Sequence, residues 1–162
     1  MKEFYTATIL LTVGAMLIMQ AAVAYNVTLE KERKQAMRLL FGIIALAAGC
    51  EWAGVMLDGL SLRHIPMHWG VKWVELSLTP CIGLLCGRSL SREKESRLEK
   101  AAQGLAVLNV LLETLSLFTR LIFYVDDQNL YHHGPCYWIY TAFCIGTILF
   151  FFLRGLQTFK KY

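Results

Sequence analysis

The chain has 162 residues, of which 56% are hydrophobic, with a mean hydropathy of +0.47 and a formal net charge of +4. The length suits one soluble domain, but the apolar share exceeds what such a domain can bury, so an ordinary water-soluble fold is excluded. The positive charge calls for no nucleic-acid partner, because it sorts along the chain as membrane topology and anionic lipid headgroups require.

A spanning helix needs roughly 20 mostly apolar residues, and five stretches meet that need: Tyr5 to Tyr25, Met37 to Asp58, Trp69 to Gly87, Ala101 to Tyr124 and Cys136 to Leu156. The connections are too short to fold alone, and there is no repeat or low-complexity tract. Backbone polar groups in hydrocarbon must pair within helices. The sequence therefore predicts an all-α polytopic transmembrane helical bundle of five helices, one domain over residues 1–162, with the lipid bilayer as its first partner.

The first stretch ends in Ala22-Val23-Ala24, the small-x-small form of a signal-peptide processing site. Cleavage there would leave Lys31, Arg33, Lys34 and Arg38 outside, whereas Lys2 alone precedes the apolar run and Glu3 offsets it. A retained helix is expected. Arg88, Arg92, Lys94, Arg97 and Lys100 lie between the third and fourth stretches, and Arg154, Lys160 and Lys161 follow the fifth. With the four residues after the first stretch they make twelve of the 16 basic residues, leaving Lys2, Arg63, Lys72 and Arg120 for the other side. The basic side is cytoplasmic by the positive-inside rule, so the N-terminus is expected outside and the C-terminus inside, in a multi-pass protein of the cell membrane. Asn26-Val27-Thr28 matches a glycosylation sequon but falls on the inner side. Tyr5, Tyr25, Trp69, Tyr124, Tyr137 and Tyr140 sit near the expected interfaces, where amphipathic rings prefer to lie.

Ionisable groups inside the spans carry the functional signal, since each costs around 2.5–3.5 kcal/mol at the bilayer centre when unpaired. Glu51 and Asp58 are seven apart on helix 2, as are Glu113 and Arg120 on helix 4, so each pair shares a helix face. His68, Lys72 and Glu75 follow the i, i+4, i+7 pattern on helix 3. With helices 2 and 4 running outward and helix 3 inward, all three stripes fall in the extracytoplasmic half. A polar cavity among helices 2, 3 and 4 is expected, open outward, with Trp52, Trp69 and Trp73 beside it. Structural pairing that fixes helix register is the plainer use of the same charges. Surplus acid suits a cationic or hydroxylated ligand, although Lys72, Arg120 and His68 would equally hold a carboxylate.

Other chemistry lacks support. Cys50, Cys81, Cys86, Cys136 and Cys144 include no Cys-x-x-Cys pair and read as small packing residues. His132, His133, Cys136, Asp126 and Asp127 carry metal-type ligands, but a solvated loop is the expectation. No Ser-His-Asp set, phosphate-binding glycine loop or His-Glu-x-x-His pattern occurs, so no catalysis, cofactor or resident metal is expected. The segment Arg88 to Lys100 reads as a solvated inner loop with helical character.

The run Val125-Asp126-Asp127-Gln128-Asn129-Leu130-Tyr131-His132-His133-Gly134-Pro135-Cys136-Tyr137 resembles an outer loop in N-terminal membrane modules of bacterial GGDEF-type signalling proteins, particularly from clostridia. There the pattern is Ile-Asp-x-x-Asn-x-Tyr-x-Arg-Gly-Pro-x-Tyr, and His133 stands here where Arg is usual. Cys50-Glu51-Trp52 and Thr79-Pro80 are also similar to that module and to the seven-helix sensor region of some histidine kinases. The resemblance implies a receptor for an extracytoplasmic small ligand, with Tyr131 in the ligand-binding set and a cytoplasmic output domain, commonly a diguanylate cyclase, as reporter. Such modules usually continue past one more helix into that domain, whereas this chain ends at Tyr162, which implies an isolated or truncated sensor or one acting on a separate cytoplasmic partner.

Gly134-Pro135 would turn the loop into helix 5 as a lid, and Pro80 would kink helix 3 below Glu75 as the relay. A small proton- or cation-coupled transporter or channel using Glu51, Glu75 and Glu113 is the second reading. It is disfavoured by the apolar inner halves, such as Leu39 to Ala48. The third is an assembly protein or homodimer using Gly42, Ala45, Ala47, Ala48 and Gly49 for close helix contact.

Overall fold

The computed structural model describes residues 2–90 and 97–159. Five helices form an all-α bundle: α1 (Lys2–Tyr25), α2 (Lys31–Leu57), α3 (Ile65–Leu90), α4 (Arg97–Thr119) and α5 (Tyr137–Phe159). A short 3-10 turn, Leu62–His64, leads into α3. Among the described residues α1, α2, α4 and α5 are long and apolar enough to cross a membrane, so the chain is a membrane protein. The polar residues of α3, His68, Lys72, Glu75 and Arg88 among them, keep it below that mark, and its position explains how it tolerates them. It packs against α2, α4 and α5, while α1 packs on α2 alone.

Close approach at glycines sets this order. A Cβ on Gly83 of α3 would sit 2.8 Å from the Thr147 backbone of α5, and one on Gly87 would sit 2.5 Å from the Phe150 ring. These contacts draw α5 against α3, and Leu84, Ala102, Ala106 and Phe150 close a buried apolar cluster there, with Cys81 packed on it. The stripe Gly42, Ala45, Ala47, Ala48 and Gly49 is used differently within the chain: Gly42 lies under Gln20 of α1, and Ala47 is buried.

Three expectations need correction. Helix 4 stops at Thr119, short of Tyr124, because Arg120 adopts a left-handed conformation with φ 58° and turns the chain. The aromatic and β-branched run that follows pairs as a strand, β1 (Phe123–Val125), antiparallel to β2 (Tyr131–His133), in the segment expected to be a simple loop. The Arg88–Lys100 segment is not a uniformly solvated loop. Positions 91–96 lie outside the described residues, but Glu99 is buried in the first turn of α4, with its carboxylate 3.5 Å from both Arg88 and Arg154. Arg154, counted in the sequence with the basic residues of the same side, is itself buried. Arg33 of α2 donates to the Ser89 carbonyl at 2.9 Å beside them, so this end of α2 to α5 is tied by polar contacts. Lys160 and Lys161 lie outside the described residues.

Candidate functional site

The end of the bundle opposite Glu99 is closed by the hairpin. Ser116, fully buried on the last turn of α4, accepts from the N–H groups of Ile122 and Phe123 at 2.9 and 3.0 Å and donates to the Phe123 carbonyl. Gly134 returns the chain under Leu121 so closely that any Cβ would collide with the Arg120 and Leu121 backbone. Asp126 organises the turn by accepting from the N–H groups of Gln128 and Leu130, both at 2.9 Å, and its other oxygen meets His132 at 2.8 Å. The Leu130 N–H and the His132 contact hold the Asp126 carboxyl below the usual range.

Asn129 joins the hairpin to α2. Its φ of 59° is tolerated because asparagine enters the left-handed region more easily than other side chains. The side chain is fully buried and donates to the Leu57 and Leu60 carbonyls at 2.7 and 3.3 Å, satisfying the end of α2. Its Oδ1 is therefore an acceptor, which assigns the proton on His68 to Nδ1, 3.0 Å away. The His68 ring is 0% exposed, and its Nε2 stands 3.8 Å from Asp58, whose Oδ1 already accepts the Tyr131 N–H at 3.0 Å.

Below this junction Lys72 donates to Glu75 at 2.9 Å, both side chains mostly buried, and its Nζ lies 4.6 Å from the Tyr131 ring centroid in cation–π geometry. The lysine stem runs across Gly54 of α2, where a Cβ would stand 2.5 Å from Cε, so glycine makes room for it. Tyr131 thus roofs the ion pair. Burial pushes its hydroxyl well above the ordinary tyrosine range, with the neighbouring Tyr137 adding to the effect.

The structure thus brings together Asp58, His68, Lys72, Glu75 and Tyr131, five of the ten residues singled out in the sequence. Trp73 borders them from α3 and donates from its indole N–H to Thr114 of α4 at 3.1 Å. Glu51 and Trp52 are exposed on α2 and face α1, an element missing from the expected cavity. The Trp52 indole donates to Thr6 at 3.1 Å, and the buried Tyr5 hydroxyl lies beside Glu51, with Glu75 in electrostatic range of both. Glu113 is fully buried on the other side of α3, in electrostatic range of Tyr131, Tyr137 and Cys144. Arg120 does not join it. Displaced from the helix by its left-handed backbone, Arg120 is exposed and forms no ion pair with a described residue.

Sequence reasoning passed over Asn109 and named Asn129 only within the loop pattern, without its role at the end of α2. Pro80 lacks the N–H that would bond the Leu76 carbonyl one turn earlier, and the fully buried Asn109 of α4 donates to that carbonyl at 3.1 Å. The helix α3 runs on through Pro80 to Leu90. A proline inside one apolar stretch with an asparagine inside the next was the available signal. Asn26, the sequon residue, accepts from the N–H groups of Thr28 and Leu29 and ties its own loop. Compared with protein families, curated proteins and solved structures, the chain finds no match in any of the three.

Proposed function

We infer that the chain is a multi-pass sensory module of the cell membrane, with the hairpin outside and the Glu99 end in the cytoplasm. A small extracytoplasmic ligand would bind at His68, Lys72, Glu75 and Tyr131, and a cytoplasmic output domain or partner would report it. The chain contributes no catalysis in this reading. The observation that carries it is the asymmetry between the two ends. At one end a docked hairpin roofs a buried ion pair. Towards the other, α3, α4 and α5 close through the contacts of Gly83, Gly87, Leu84, Ala106 and Phe150, an apolar stretch below Asn109. A blind site fits that asymmetry, whereas conduction needs polar groups through both leaflets.

Tyr131 connects ligand to relay. A solute that competes for Lys72 or Glu75 must lift the ring, and lifting it pulls on the Asp58 and Asn129 anchors at the end of α2. Only a ligand that favours one arrangement shifts the balance. The test reconstitutes the protein in liposomes and records proton and cation flux beside thermal shifts with amino acids, polyamines and quaternary ammonium ions. A blind sensor gives no flux, and a solute that stabilises the wild type loses its effect in Lys72→Met. Flux that disappears in Glu75→Gln would establish the transporter reading instead.

A further inference from the structure

The seam between α3 and α4 holds a second polar group that the hairpin site does not use. Two cross-links align the helices there: Asn109 Nδ2 donates to the Leu76 carbonyl and Trp73 Nε1 to Thr114 Oγ1, each at 3.1 Å. Ser77 is one turn along from Trp73 on the same face of α3, level with Asn109. Glu113 is one turn along from Asn109 on α4, level with Trp73. The three side chains are 6%, 0% and 0% exposed. Four of their oxygens, Ser77 Oγ, Asn109 Oδ1 and Glu113 Oε1 and Oε2, have no hydrogen-bond partner among the described residues.

The chemistry of the set is specific. The amide nitrogen of Asn109 is turned to Leu76, so the group presents only its carbonyl to the seam. Lys72 is held by Glu75 and Tyr131, and Arg120 is exposed, so neither neutralises Glu113. A lone carboxylate in a low-dielectric interior must be neutralised, by a proton or by a bound cation, and the unpartnered oxygens of Ser77 and Asn109 beside it favour the cation. Oxygen-only donors select a hard cation. A divalent ion would leave the seam with excess positive charge and demands more oxygens than four or a nearly octahedral shell. A monovalent ion balances Glu113 exactly once.

We propose that Ser77, Asn109 and Glu113 form a buried binding site for one sodium ion between α3 and α4, pinning the two helices at the level where Pro80 interrupts the α3 hydrogen-bond ladder. The bound ion would act beside the Asn109 bond that replaces the N–H missing at Pro80. The site is separate from the Lys72–Glu75 pair and stands whether or not that pair binds a signal.

The experiment uses the purified full chain in lipid nanodiscs at pH 8 and measures radioactive sodium binding by scintillation proximity. The expected result is saturable binding of one ion per chain, displaced by unlabelled NaCl and not by choline chloride. Binding disappears in Glu113→Gln, weakens about tenfold in Ser77→Ala, and is kept in Trp52→Phe, on the α1 side of α2. Ser77→Ala decides the matter if Glu113→Gln does not fold. The proposal is overturned by the absence of saturable binding to the folded wild type, which would leave a proton as the occupant of Glu113. Binding unchanged in Ser77→Ala and Glu113→Gln, or binding lost in a folded Trp52→Phe, overturns it equally.

Discussion

Truncating Asn109 to alanine should reveal how α3 passes Pro80 without a break. In the wild type the Leu76 carbonyl has no N–H from position 80 and takes its donor from Asn109 at 3.1 Å. Stranding a buried acceptor costs about 1–3 kcal/mol in soluble proteins, whereas interhelical hydrogen bonds in membranes average about 0.6 and reach about 1.7 kcal/mol. A loss of about 1–1.5 kcal/mol is therefore expected for Asn109→Ala. In a Pro80→Ala background residue 80 regains its N–H, the carbonyl is satisfied within α3, and the same truncation should cost only a few tenths of a kcal/mol. The coupling, about 1 kcal/mol, corresponds to roughly a fivefold change in the unfolding equilibrium. Steric-trap unfolding in bicelles, with choline as the only monovalent cation, measures all four corners of the cycle. Additivity within about 0.3 kcal/mol would refute the compensation of Pro80 by Asn109.

Three further outcomes follow from the hairpin and the glycine contacts. Gly134→Ala should detach the hairpin, since its Cβ meets the Arg120 and Leu121 backbone; amide exchange at Phe123 and Tyr131, whose N–H groups bond Ser116 and Asp58, should rise at least tenfold while the α3–α5 core keeps its protection. Gly83→Ala, which forces the Thr147 backbone away, should cost about 1–3 kcal/mol in the same unfolding assay. The Asp126 carboxyl is held below its ordinary range in the folded chain, so its contribution is complete above the unfolded carboxylate pKa and is lost as pH falls through the lower folded value. Hairpin protection factors, referred to the intrinsic exchange rate at each pH, should therefore be flat from pH 7 to pH 5 and fall only below about pH 4, and Asp126→Asn should remove that acid step.

Much of the fold was legible because lipid enforces one rule, that long apolar runs become helices. The same rule misled at the end of α4, where Leu121 to Val125 continues the hydropathy of the helix although Arg120 has already turned the chain. Hydropathy does not distinguish an apolar strand from an apolar helix over five residues. Helix spacing correctly joined His68, Lys72 and Glu75, whose relations are local to one helix. It failed for Arg120, whose stripe presumed a helix that had ended, and it left out α1, whose Tyr5 and Thr6 meet Glu51 and Trp52. Glu99 was read as solvated because it lies near the end of an apolar run; its pairing with Arg154 depends on α4 and α5 meeting, which no local pattern records. Asn109 and Asn129 escaped for the same reason. Each serves a carbonyl on another element, at sequence separations of 33 and 72 residues.

The separation of 72 residues has a bearing on biogenesis. The carbonyl of Leu57 emerges from the ribosome well before the amide that caps it. At about 5–20 residues per second, residue 129 follows roughly 4–14 s later. Through that interval the terminus of α2 must be solvated by water or headgroups at the membrane surface. Seating of the hairpin is thus a post-insertion step, and nascent chains paused before residue 129 should expose the α2 terminus to proteases that the finished protein resists.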